Sequence, residues 1–88
     1  MTYQPAFEFT VSGIPLWLMR EYLVELGGHQ VADDAVSGDG WQAHLTKVED
    51  FQLGSLRVGR MHLAFYGDAE VVQKLLPALE KKLLRAGG

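Results

Sequence analysis

The residues whose types and spacing come closest to a chemical site are His44, His62, Arg57, Arg60 and Lys47, in two apolar-rich stretches of this 88-residue chain. Two histidines beside a carboxylate bind zinc, but a catalytic zinc needs three protein ligands and an open position. The nearest carboxylates, Glu49 and Asp50, lie away from both histidines, and His29, directly after Gly27-Gly28, reads as a loop residue. The run Gly54-Ser55-Leu56-Arg57-Val58-Gly59-Arg60-Met61 spaces two glycines as a phosphate-binding loop does. Arg60 and Met61 replace that motif's lysine and hydroxyl, and a strand follows where the motif needs a helix N-terminus. Asp33, Asp34 and Asp39 lack the spacing of a calcium loop. Ser12, Ser37 and Ser55 fall in predicted turns, outside any Gly-x-Ser-x-Gly elbow. With no cysteine there is no thiolate nucleophile, no thiolate metal site and no disulfide. No catalytic residue, metal or cofactor is assigned. What survives is an anion site for phosphate, nucleotide or RNA, built from Arg57, Arg60, His44 and His62. The aromatic stacking residues that an RNA-binding sheet uses are missing from that surface.

The composition sets the frame. Residues 1–88 suffice for one domain, and 48% hydrophobic with 22% charged residues is the mix of a folded one. A net charge of -3 argues against duplex nucleic acid as a partner. A domain this small without disulfide staples must rely on its core or on oligomerising. Met1-Thr2-Tyr3-Gln4-Pro5 is not a secretory signal, and apolar runs such as Leu16 to Met19 fall far short of the about 20 residues a membrane span requires. The expectation is a cytoplasmic protein with no membrane partner. Asparagine is absent, a thermophile trait, although glutamines and methionines are retained.

The elements that must position these residues follow from periodicity. Ala6 to Val11 alternates, placing Phe7, Phe9 and Val11 on one face of a strand. Pro15 opens a helix that runs to about Leu26 and stops at Gly27-Gly28. Its apolar face is Leu16, Met19, Tyr22, Leu23 and Leu26, while Trp17 and Val24 fall among the polar residues Arg20, Glu21 and Glu25. Either a sheet edge or loop covers that pair, or it contacts another subunit, since aromatic residues are enriched at interfaces. His29 to Val36 forms a strand interrupted by Asp33-Asp34, and Ser37-Gly38-Asp39-Gly40 a turn. Asp68 caps a last helix with Val72, Leu75, Leu76, Leu79 and Leu83 on one stripe, kinked at Pro77.

Trp41 to Glu49 and Ser55 to Tyr66 read as a long hairpin joined by Asp50 to Gly54. Pairing Glu49 with Ser55 sets Trp41 opposite Leu63, Ala43 opposite Met61 and Leu45 opposite Gly59 on the core side, with Phe65. On the outer side Gln42 faces His62, His44 faces Arg60, Thr46 faces Val58 and Val48 faces Leu56. Lys47 falls opposite Arg57, a like-charge pair that an anion would bridge. Val48, Leu56 and Val58, with Phe51 and Leu53 in the connection, make an apolar tip. A bulge at Gly59 would instead return Leu56 and Val58 to the core.

The expected architecture is α+β: a four-stranded, mainly antiparallel sheet with two helices on one face, in the order β-α-β-β-β-α. It resembles a ferredoxin-like α+β sandwich, of the kind seen in small domains of thermophilic bacteria. It departs from that family by ending on a helix. The final Gly87-Gly88 also resembles the activated tail of ubiquitin-like sulfur carriers, whose tail leaves a strand, whereas here the pair follows a helix, where glycine is an ordinary C-cap. The functional expectation is a non-enzymatic interaction module that forms a homo-oligomer (a dimer) or docks on a larger protein. Its interface residues are Trp17, Val24, Val48, Phe51, Leu53, Leu56 and Val58. The anion site is the alternative.

Overall fold

A computed structural model describes residues 4–87, with side chains through Leu84. Its elements are β1 (Phe7–Ser12), α1 (Leu16–Glu25), β2 (His29–Ala32), β3 (Ala35–Gly38), β4 (Trp41–Leu53), β5 (Leu56–Gly67) and α2 (Ala69–Gly87). The strands form one sheet in the order β1-β5-β4-β3-β2, antiparallel at every step. The α+β class with two helices and an antiparallel sheet holds; the expected four strands are five, and the order changes with them.

The fifth strand arises because Asp33-Asp34 is itself a turn, so the single strand expected over His29 to Val36 folds back as β2 and β3. The turn is anchored from two sides: Leu45 N–H donates to the Asp34 carbonyl at 2.8 Å, and Arg20 Nη1 to the Asp33 carbonyl at 2.7 Å. His29 opens β2 and pairs with Ser37 of β3, so neither lies in the loop or turn expected for it. The ferredoxin-like resemblance is not carried by this sheet, which has an added hairpin strand and closes on a helix.

The hairpin register also differs. β4 and β5 continue to Leu53 and from Leu56, so their connection is the two residues Gly54-Ser55 rather than five. Gly54 takes φ 62 at the first central position, the conformation glycine supplies in a two-residue hairpin turn. The tighter turn moves every partner: Trp41 faces Gly67, Ala43 faces Phe65, and Leu45 faces Leu63. Lys47 faces Met61 and Arg57 faces Gln52, so the expected like-charge pair does not form. The slip in the hairpin body is an even number of residues, and side chains alternate with period two, so each residue there keeps its expected face.

That inner face carries the core. Both helices cover it, and Met19 and Leu23 of α1, Val72 and Leu79 of α2, and Ala43, Leu63 and Phe65 of the sheet are buried. Phe65 stacks on Phe9 at 6.2 Å and leans on Trp41 at 6.4 Å. Trp41 lies so close over Gly38 that a Cβ there would stand 2.1 Å from the indole, which explains the glycine. The Pro15 carbonyl accepts from Leu18 and Met19 at the start of α1. Gly27 N–H to Val24 and Gly28 N–H to Leu23 close its end as a Schellman motif. Asp68 Oδ1 accepts from Glu70 N–H at 2.9 Å, capping α2 as expected, and α2 runs through Pro77 as one helix. Lys82 bonds Glu25 and lies over the Tyr22 ring, clasping the two helices together. No described helix is long and apolar enough to cross a membrane.

Candidate functional site

Among the described residues no helix covers the outer face of the sheet, and its two ends differ in chemistry. In the middle it is polar. His62 on β5 is held by β1 on both ring nitrogens: Nε2 lies 3.0 Å from Glu8 Oε2, and Nδ1 lies 3.2 Å from Thr10 Oγ1. His44, facing Ala64, sits diagonally from His62, which faces Thr46, and its ring meets the Tyr66 ring edge-on at 5.2 Å. Arg60 shares this face, but its Nε–H donates to the Glu49 carbonyl at 2.9 Å. Arg57 alternates onto the opposite face. The four residues of the anion alternative therefore do not converge: each of the first three is engaged within the sheet, and the fourth points away. Among the described residues no three of His, Cys, Asp and Glu cluster as metal ligands.

Towards the turn the hairpin leaves the sheet. β3 pairs with β4 only from Trp41 to His44, and β1 pairs with β5 only from Arg60 to Phe65. Beyond both limits, Glu49–Leu53 and Leu56–Gly59 form a two-stranded arm with no described strand on either flank. Val48 faces Arg60, yet Phe51 faces Val58, so Glu49 and Asp50 together oppose the single Gly59. This is a β-bulge, on the strand opposite the glycine rather than at it. Gly59 is the lone residue facing the bulge, so the alternative of a bulge at Gly59 itself, returning Leu56 and Val58 to the core, does not hold. The Arg60 hydrogen bond to the Glu49 carbonyl ties the bulged segment to β5.

The extra residue reverses the alternation of β4. Before the bulge, His44, Thr46 and Val48 point outward; after it, Phe51 and Leu53 do. β5 has no slip, so Leu56 and Val58 stay on the face of Arg60 and His62. The bulge therefore gathers Val48, Phe51, Leu53, Leu56 and Val58 on one face of the arm, with Val48 at its base. Phe51, Leu53 and Leu56 are 48%, 64% and 66% exposed, and the two valines are half-buried. Phe51 and Leu53, expected in the apolar tip as part of the connection, lie instead in β4, and the bulge sets them on the same face as Leu56 and Val58.

Elsewhere, Trp17 and Val24 on the outward side of α1 are exposed at 57% and 43%, covered by neither loop nor sheet edge. Of the tail resembling carrier proteins, Gly87 is the last residue of α2 and Gly88 lies outside the described residues. Ser12 ends β1, Ser37 lies in β3 and Ser55 in the hairpin turn, on three separate elements.

No curated protein matches the chain. One family model does, over residues 7–88, and it takes in both helices and all five strands. On that match the chain belongs to the family of archaeal MoaD-like proteins.

Proposed function

We propose that this chain is a non-enzymatic interaction module of the small ubiquitin-like, sulfur-carrier-like kind its family suggests. It docks on a larger protein through the apolar face of the β4–β5 arm. The observation that carries the reading is the bulge at Glu49-Asp50, which puts Val48, Phe51, Leu53, Leu56 and Val58 on one side of a ribbon whose last residues, Phe51, Leu53 and Leu56, stay exposed. Isolated ribbons are marginally stable, and contiguous apolar surface in water is rare away from interaction sites. The edge of the arm is ill suited to strand addition, because Glu49, Asp50 and the bulge they form interrupt it. Its face is the surface left for a partner. Trp17 and Val24 form a second exposed pair on α1.

A photo-crosslinking amino acid placed at Leu53, with the same group at the exposed Lys74 of α2 as control, tests this in cells. Adducts heavier than two copies of the chain, formed from Leu53 and not from position 74, are the expected result. Adducts of two copies would turn the reading to self-association. No adduct from Leu53, or equal adducts from both positions, would remove the arm as the docking surface.

A further inference from the structure

Among the described residues the edges of the sheet pair with no further strand, and they are not equally protected. β2 is four residues long and irregular between Gln30 and Ala32. The β4 edge of the arm carries the bulge, with the charges of Glu49 and Asp50. β1 differs: its six residues hold an unbroken register against β5, from Phe7 opposite Phe65 to Ser12 opposite Arg60, with no proline, lysine or bulge. An edge of that kind is a template for another strand unless something guards it. Gly13 N–H donates to the Gly59 carbonyl at 2.9 Å, which fixes the phase of the ladder. Alternation then turns the backbone groups of Phe7, Phe9 and Val11 towards β5, and those of Glu8, Thr10 and Ser12 outward.

Directly under this edge runs a groove between β1 and α2, lined by Phe7, Phe9, Leu76, Leu79 and Leu83, with Glu80 as its one charged residue among those described. Phe7 is 44% exposed at its mouth. Unpaired backbone groups above an apolar groove are the two halves of a strand-addition site: main-chain hydrogen bonds hold the guest, and alternate side chains enter the groove. A second copy is a poor guest, because its β1 strand, Phe7 to Ser12, carries Glu8 and no basic residue to set against Glu80.

We infer that the β1 edge and its groove bind an extended segment of a partner protein, apolar at alternate positions and carrying a basic residue opposite Glu80. This site is separate from the arm and stands whether or not the arm docks.

The test is an amide-resolved NMR titration with a capped hexapeptide alternating valine and threonine, one valine replaced by lysine. Shifts confined to residues 7–12 and 76–84 are expected. Glu80→Lys, at an exposed position, weakens the lysine peptide at least about fivefold and favours a glutamate peptide instead. Thr10→Pro removes an outward-facing N–H while keeping the backbone ladder to β5, and abolishes the shifts while the spectrum stays dispersed; Thr10→Val, which loses only the Thr10 Oγ1 contact to His62, keeps the shifts. No shifts along β1 at millimolar peptide, equal affinity for lysine and glutamate peptides, or concentration-dependent shifts of residues 7–12 without peptide would each overturn the assignment.

Discussion

Replacing Arg60 by methionine isolates the contact that holds the bulge. Arg60→Met keeps the aliphatic stem over the arm but deletes the 2.9 Å hydrogen bond to the Glu49 carbonyl. A hydrogen bond from a charged donor contributes about 1.5–3 kcal/mol when buried. Arg60 is only half-buried, and water can reach the freed carbonyl, so the loss is about 1 kcal/mol. The arm pairs with no other strand, so the loss falls on the arm's own opening rather than on the whole fold. One kilocalorie is roughly a fivefold change in an equilibrium constant. Native-state hydrogen exchange on backbone amides is the assay. Protected amides of residues 49–58 exchange about fivefold faster in the variant. The amides of Leu63 and Phe65, deep in the sheet, stay within twofold of the parent. Equal acceleration in both groups would mean that the arm opens only with the whole molecule. No acceleration in the arm would mean that Arg60 does not hold the bulge.

Three further outcomes follow from other contacts. Gly38→Ala drives a Cβ into the Trp41 indole and destabilises by about 1–3 kcal/mol, which lowers Tm by roughly 5–20 °C in a thermal melt followed by near-ultraviolet circular dichroism. Asp68→Ala removes the cap on Glu70 N–H and costs about 1 kcal/mol, a fall in Tm of about 4–8 °C in the same melt. The double change Leu53→Ser and Leu56→Ser alters stability by no more than about 1 kcal/mol, because both side chains are mostly exposed, yet it abolishes crosslinking from a probe at Phe51.

The faces of this fold were legible in the sequence and its pairings were not, for a single reason. Alternation assigns Trp41, Ala43, Leu45, Leu63 and Phe65 to one side whatever their partners, and a slip by an even number of residues leaves that assignment untouched. Partners depend on the turn. Gly54-Ser55 closes the hairpin in two residues, whereas Asp50, three residues ahead of Leu53, reads as the start of a five-residue connection after Glu49. Glu49 and Asp50 are instead the bulge, which has no local signature because any polar pair can stand unpaired opposite one residue. Asp33-Asp34 was visible as an interruption, but not as a turn between two strands, since the flanking segments are only four residues each. On the candidate site, Val48, Leu56 and Val58 were legible as one apolar face by alternation, and the bulge that aligns Phe51 and Leu53 with them was not. The β1 groove was missed because Phe7 and Phe9 satisfy the pattern of a core strand. Phe7 is left at the mouth of the groove only because β1 lies at the sheet edge. The family match spans residues 7–88 and takes in Gly87-Gly88, the pair whose type resembles the tail of ubiquitin-like sulfur carriers.

Everything proposed for the arm depends on Phe51 and Leu53 lying on the same side as Leu56 and Val58. A nuclear Overhauser experiment on methyl-labelled protein tests this directly. The account predicts cross-peaks from the Phe51 ring to the Val58 methyls and from Leu53 to Leu56 methyls. Cross-peaks from the Phe51 ring to the side chain of Arg57, with none to Val58, would place the phenylalanine on the opposite side and contradict it.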